Sequence, residues 1–359
     1  MPRTTGKTAK LSDVARAAGV SQGTVSNVFN RPQIVREEVR DHVHEVAKKL
    51  GYRGADPKGR LLRAGKVNAI GIGTVEPLGY FFKDPYARGV MAGIAEAADK
   101  AGAGISLVSA ANDEALGWNI QNALVDGFIL FCIEGGERLV KLTRDRGLPF
   151  IALALGVEDG SVAAIGIDNA EGGRLAAQHL VSLGHRRIAV LTMPLHPGTQ
   201  SGRVSLADVE RAVYITSRDR VRGYLEILAR AGIDPATIPI FETQNSKRTV
   251  SAAIDALFDG GDPPTALLVQ SDKAALIAID CLKHRGLSVP ADVSVIGFDG
   301  VPEGEFSTPA LTTISQPMAE TGRRAVAAIL DGNPPLRQTL SLELTIRGST
   351  SKPVSRARV

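Results

Sequence analysis

The 359-residue sequence predicts two unlike parts: a small all-α unit at the N-terminus and a two-lobed α/β body of doubly wound parallel sheets. Three observations carry that expectation. Residues 11–30, LSDVARAAGVSQGTVSNVFN, press two short helical patterns around one glycine. From Val67 onward, apolar runs of strand length alternate with amphipathic stretches, the pattern of parallel sheets covered on both faces. Charge divides at the same place: up to Lys66 there are 14 Lys/Arg against 6 Asp/Glu, and beyond it 28 against 32. That split makes a basic module on a mildly acidic body, whose charge either meets a polyanionic partner or simply keeps the protein soluble.

In the first part, Ser12 is placed to cap a helix carrying Val14, Ala15, Ala17 and Ala18. Gly19 sits where the chain must turn left-handed, and Val20 anchors that turn. Ser21 then caps a second helix whose Val25, Val28 and Phe29 form an inward face. Its outward face carries Gln22, Gly23, Thr24, Ser26 and Asn27. Small polar groups let a helix approach a DNA groove closely; hydroxyls suit phosphates, and Gln and Asn can read base edges. A third helix, with Val39, Val43, Val46, Ala47 and Leu50 at helical spacing, completes the core. Next, Asp56 followed by Pro57 signals another helix start within GADPKGRLLRAGK, although Gly59 weakens it by about 1 kcal/mol.

The body begins with the strand patterns NAIGIGTV, AGISLVS, GFILFCI, PFIALAL and AAIGI, and a second cycle runs through RRIAVLT, TALLVQ and DVSVIGF. Ligands of such folds bind beyond the carboxyl ends of the strands, commonly between lobes. GIGTVEP lacks the spacing of a dinucleotide fingerprint. His179, His185, His196 and His284 have no metal-ligand spacing, and no nucleophile elbow is present, so neither an enzyme nor a cofactor is expected. Cys132 and Cys281 lie far apart in apolar segments and read as reduced core residues. No run of eighteen apolar residues occurs, so no membrane span is expected. The basic MPRTTGKTAK lacks the apolar stretch of a secretory signal, which points to the cytoplasm.

The order DVA–AGVS–TVS–VFN, with LGY ending the third helix, resembles the LacI/GalR (lactose-repressor type) family of transcription regulators. The likeness continues through DPYARGVMAGIAEAA, VDGFIL, IDNAEGGRLAAQHLVSLGHRRIAVL, DRVRGYLEILARAGI, SDKAALIAI and VSVIGFDG, nearly the whole chain. It implies a helix-turn-helix domain over 1–54, a hinge helix over 55–66 and a periplasmic-binding-protein-like effector and dimerisation domain over 67–347. Within that domain, lobe 1 is expected over 67–167 and 317–343 and lobe 2 over 168–316, followed by a polar tail at 348–359. It further implies a dimer on double-stranded operator DNA, controlled by a small effector, with carbohydrate the leading class. The tail has no leucine heptads, so a tetramer-forming helix is not expected.

Carried over by motif, Gln22, Gly23 and Asn27 take base-reading positions, and Ser21, Thr24 and Ser26 take backbone positions. Gly23 departs from the longer side chain common in the family and can read little. Leu62 matches a leucine that wedges into the minor groove, with Arg63 beside it for the phosphates; the alternative is a plain linker. Arg220, three residues before Gly223, matches the arginine that grips effector oxygens, and Ser271 and Asp299 match polar effector positions. The alternatives are a surface pair of Arg220 with Asp219 and a turn-initiating role for Asp299. Tyr80, Phe82 and Trp118 either stack on a sugar or cap the pocket, with burial in the core the competing reading for each, as for Phe81 between the first two. Two departures bear on the effector. Leu155 and Gly156 stand where relatives have an acidic residue, and HPGTQSGRVSLADVERAVYIT is a long loop that either covers the pocket or enlarges the dimer surface.

Overall fold

The computed structural model describes residues 9–54, 66–109, 113–131, 136–153, 159–198, 200–332, 334 and 336–354. The chain divides at Val67 into two compact units. In the first, helices α1 (Leu11–Ala18), α2 (Gln22–Asn30) and α3 (Glu37–Lys49) surround a core of Val14, Ala15, Ala18, Val25, Val28, Val43, Ala47 and Tyr52. Gly19, at φ 65°, ends α1 in the left-handed conformation that the turn requires. Two expectations change here. The N-cap of α1 is Lys10, not Ser12: the helix starts two residues earlier, and the Lys10 amide donates to the Asp13 carboxylate at 2.9 Å. Leu50 is exposed, because Gly51 turns the chain at φ 70° and sends Tyr52 into the core instead. There Phe29 meets the Tyr52 and His44 rings edge-on.

The second unit opens with β1 (Ala69–Thr74), α4 (Tyr80–Lys83), α5 (Pro85–Ala101), β2 (Gly104–Ser109), α6 (Asp113–Asn122), β3 (Gly127–Phe131), α7 (Glu137–Asp145), β4 (Phe150–Leu153) and β5 (Ala164–Ile167). It continues with α8 (Asn169–Ser182), β6 (Ile188–Thr192), β7 (Gly202–Val204), α9 (Leu206–Glu210), α10 (Ile215–Arg230), β8 (Ile240–Glu242), α11 (Lys247–Phe258), β9 (Ala266–Val269) and α12 (Asp272–His284). Last come β10 (Ser294–Asp299), α13 (Pro302–Glu305), β11 (Thr312–Ser315), α14 (Met318–Leu330), β12 (Arg337–Leu340) and β13 (Glu343–Thr345).

These make two sheets, β12-β5-β4-β3-β1-β2 in lobe 1 and β13-β11-β10-β9-β6-β8-β7 in lobe 2. Lobe 1 is parallel throughout; in lobe 2 the two edge strands, β7 and β13, are antiparallel. Central strands such as β3 and β6 are buried along their whole length, as near-continuous apolar runs require. Each lobe also has a helix pair in backbone contact. A Cβ on Gly93 or Gly322 would lie 2.0 or 2.4 Å from a carbonyl of the facing helix, which locks α5 to α14. Gly173 and Gly223 do the same for α8 and α10, at 2.4 and 2.1 Å.

After β12 the chain re-enters lobe 2. Residues 343–345, where lobe 1 was expected to end, pair with β11 of the other sheet, because Leu342 and Leu344 find their apolar partners there. Residues 348–351, expected as polar coil, are tied in. Ser349 is fully buried, accepting from the Thr312 amide and donating to the Val295 carbonyl; His185 Nε2 lies 2.9 Å from the Ser351 carbonyl. The long loop becomes β7, extending the sheet edge beside β8, and α9, whose Glu210 pairs with Arg222 of α10. Cys281 is a buried free thiol. Leu62, Arg63, Cys132, Leu155 and Gly156 lie outside the described residues.

Candidate functional site

In the first unit, Ser21 caps α2: its Oγ accepts the Thr24 amide at 3.0 Å and lies 2.9 Å from the Thr24 hydroxyl. Asn30 donates to Ser26 Oγ at 3.2 Å. Gln22 and Gly23 are exposed, while Asn27, Ser26 and Thr24 are half-buried on the flank of the same helix. A Cβ at Gly23 would meet only Ser21 Oγ, at 3.5 Å, so packing does not demand a glycine there. The bare position leaves backbone open to whatever the helix approaches.

In the second unit a cavity of about 410 Å³ opens beyond the carboxyl ends of both sheets. Lobe 2 supplies its polar wall. Contact with Gly173 presses α10 onto α8, which brings Arg220 beside Asn169. Arg220 is only 4% exposed; its Nε donates to Asn169 Oδ1 at 2.9 Å and its Nη1 to the Gln270 carbonyl at 2.6 Å. Its guanidinium stacks 3.7 Å from the Phe298 ring centroid, a cation–π contact that fixes the plane of the fork. Nη1 also lies 3.9 Å from Asp299 Oδ1, which accepts Gln316 Nε2 at 2.8 Å. The pair with Asp219 that competed in the sequence is made by Arg218 instead, at 3.1 Å. Burial pushes the Asp299 carboxyl well above the ordinary range; Arg220 opposes the shift, and the negative charges of Asp272 and Asp84 add to it. Ser271 lines the cavity and caps α12, accepting the Ala274 amide at 3.2 Å.

Lobe 1 answers with Tyr80, Tyr86, Glu76 and Asp84. Of the three expected aromatics only Tyr80 reaches the cavity. Phe82 is 67% exposed on the other side of the single turn of α4, and Trp118 is 69% exposed on α6; neither lines it. Several lining residues went unnoticed in the sequence. Asp84 caps α5, accepting the Ala87 amide at 3.2 Å, and stands 3.7 Å from Lys273 of lobe 2. The Asp84–Pro85 step carries the same helix-start signal as Asp56–Pro57 and could have drawn attention to it. Arg88 and Glu303 make a second ion pair between the lobes. Asn245, left-handed at φ 48°, has a buried Oδ1 with no hydrogen-bond partner among the described residues. An acceptor left open in a polar cavity is free to take a donor from a ligand or a water. No signal in the sequence marks it. Among the described residues there is no group of side chains able to hold a metal ion and no helix long and apolar enough to cross a membrane.

Residues 10–54 match the model of bacterial regulatory proteins of the lacI family, and residues 177–350 match a periplasmic binding protein-like domain. An HTH-type transcriptional regulator of Mycobacterium tuberculosis is 34% identical over 98% of this chain and 99% of its own. The chain belongs to the LacI family. It is therefore a transcriptional regulator with a DNA-binding helix-turn-helix and a two-lobed body. Among solved structures, the lac repressor dimer bound to operator and the anti-inducer ONPF is 27% identical, with a TM-score of 0.71 over 96% of this chain and 100% of that one. The transcriptional regulator CelR–cellobiose complex is 28% identical, with a TM-score of 0.68 over 95% and 99%.

Proposed function

We propose that this LacI-family member is a homodimeric repressor of a near-palindromic operator, and that a sugar or sugar derivative in the cleft sets its hold on DNA. The observation that carries the effector half is the polar wall of Arg220 and Asp299, with the open acceptor of Asn245 in the same cavity. Together these groups offer donors and acceptors to a polyhydroxylated ligand. The similarity to a repressor dimer on its operator and to a cellobiose complex supports both halves.

In this reading two α2 helices enter successive major grooves, with Gln22, Gly23 and Asn27 at base edges and Ser21, Thr24 and Ser26 on the backbone. Gly23 reads little, so specificity leans on Gln22, Asn27 and DNA shape. Leu62 wedges into the minor groove at the operator centre, with Arg63 against the phosphates. An effector that prefers one lobe arrangement by about 3 kcal/mol changes the equilibrium between the two arrangements more than a hundredfold.

The test is capture of genomic fragments by the purified full-length chain, followed by sequencing and by binding titrations with a panel of free sugars. Near-palindromic fragments should be enriched, and one sugar should shift their affinity. Capture without sequence preference, with and without the panel, would sink the reading. Leu62→Ala should weaken operator binding and leave sugar binding intact, whereas equal operator affinity would remove the wedge from it.

A further inference from the structure

Asp272 is fully buried at the start of α12, between two residues that line the cavity, Ser271 and Lys273, yet it does not line the cavity itself. Its side chain goes to the exit of β10. Oδ2 accepts the Gly300 amide at 2.7 Å and the Val301 amide at 2.9 Å, and Oδ1 accepts the Thr313 hydroxyl at 2.6 Å. The approach is so close that a Cβ on Gly297 would fall 2.2 Å from Oδ1. The turn held in this way is strained. Asp299 stands at φ 131°, where L side chains rarely go, and Gly300 follows at φ 79°, with Ser315 Oγ 2.7 Å from where its Cβ would be. Such a backbone persists only where its surroundings over-determine it. Two charge-assisted bonds to consecutive amides supply that restraint.

We infer that Asp272 is a positioning residue of the effector site: from outside the cavity, its carboxylate fixes the Asp299–Val301 turn and so the direction in which Asp299 faces Arg220. The inference rests on the effector role proposed for Arg220 and Asp299. Isosteric Asn can replace it, since its oxygen still accepts both amides while its NH₂ donates to Thr313; Ala cannot.

The test needs no effector, so it stands or falls apart from the effector reading. Deuterium uptake is followed in the full-length protein over residues 296–304, with residues 266–269 of β9 as a reference. Asp272→Ala should speed exchange at the Gly300 and Val301 amides about 100-fold each, within the range that loss of one charge-assisted hydrogen bond at each amide carries, with β9 unchanged. Asp272→Asn should restore protection. Should the alanine variant not fold, Asp272→Ser, which can partner Thr313 but does not span to both amides, is read in the same way. Unchanged exchange at the turn, an equal rise in β9, or failure of Asn to restore protection would each overturn the inference.

Discussion

Lobe 2 meets the cleft with Arg220 and Asp299, each anchored from behind by Asn169, Gln270, Phe298 or Gln316; lobe 1 meets it with Tyr80, Tyr86, Glu76 and Asp84. The scaffolds are alike, with a sheet of parallel central strands and a glycine-locked helix pair in each. The difference therefore lies in the walls. A wall whose donors are preorganised sets orientation, and one of aromatic faces sets fit.

The largest blow to this contrast should come from Arg220→Ala. It removes the fork and leaves Asn169 Oδ1 and the Gln270 carbonyl without their donor, a loss of about 1–3 kcal/mol for each buried acceptor left unpaired. Sugar-dependent change in operator affinity, read by fluorescence anisotropy, should vanish while basal operator binding survives. A surviving response would mean that lobe 2 does not orient the effector. Tyr80→Ala, on the opposite wall, should weaken effector binding about tenfold without abolishing the response, as loss of one stacking face predicts. Calorimetry would decide, and a loss equal to that of Arg220→Ala would erase the distinction between the walls.

Further from the cleft, lobe 2 holds buried histidines, a residue type that lobe 1 lacks. His179 Nε2 lies 2.9 Å from Thr350 Oγ1, and His185 Nε2 is equally close to the Ser351 carbonyl; burial lowers both histidines from the ordinary 6.5. The unfolded chain then binds more protons than the native one just below pH 6.5, so stability falls as pH drops through that point toward the depressed values. Melting temperatures between pH 8 and pH 5 should show this decline, and His185→Gln should leave only the share of His179. The smallest effect belongs to the cleft pair. Asp84 is buried, but Lys273 is 38% exposed and 3.7 Å away, so solvent screens the pair and Lys273→Met should change stability by about 1 kcal/mol or less. Chemical denaturation measures that. A larger loss would show that the two walls are coupled directly.

Much of this contrast could be read from the residues alone. Gly19, the Ser21 cap and the Val25–Val28 face specify the first unit through local chemistry, and the buried apolar runs specify the strands. The motifs around Arg220, Ser271 and Asp299 drew them to one cavity because each stands at a fixed place on its own element. Lobe 1 was harder. In Tyr80-Phe81-Phe82, neighbours on one helical turn point about 100° apart, so one lines the cavity, one is buried and one faces solvent; composition does not say which. Trp118 misled for a similar reason, being large and apolar but on the outer face of α6. The Asp84–Lys273 pair and the return of β13 to lobe 2 depend on contacts between distant segments, for which no local pattern exists.

That return has a consequence for how the molecule is made. β12 completes the lobe 1 sheet beside β5, more than 150 residues upstream, and β13 then edges the lobe 2 sheet beside β11. Neither sheet is whole until residues 337–345 have left the ribosome, whereas the contacts of the helical unit all fall within its first few dozen residues. A nascent chain can therefore carry a finished helix-turn-helix well before either lobe of its body is complete.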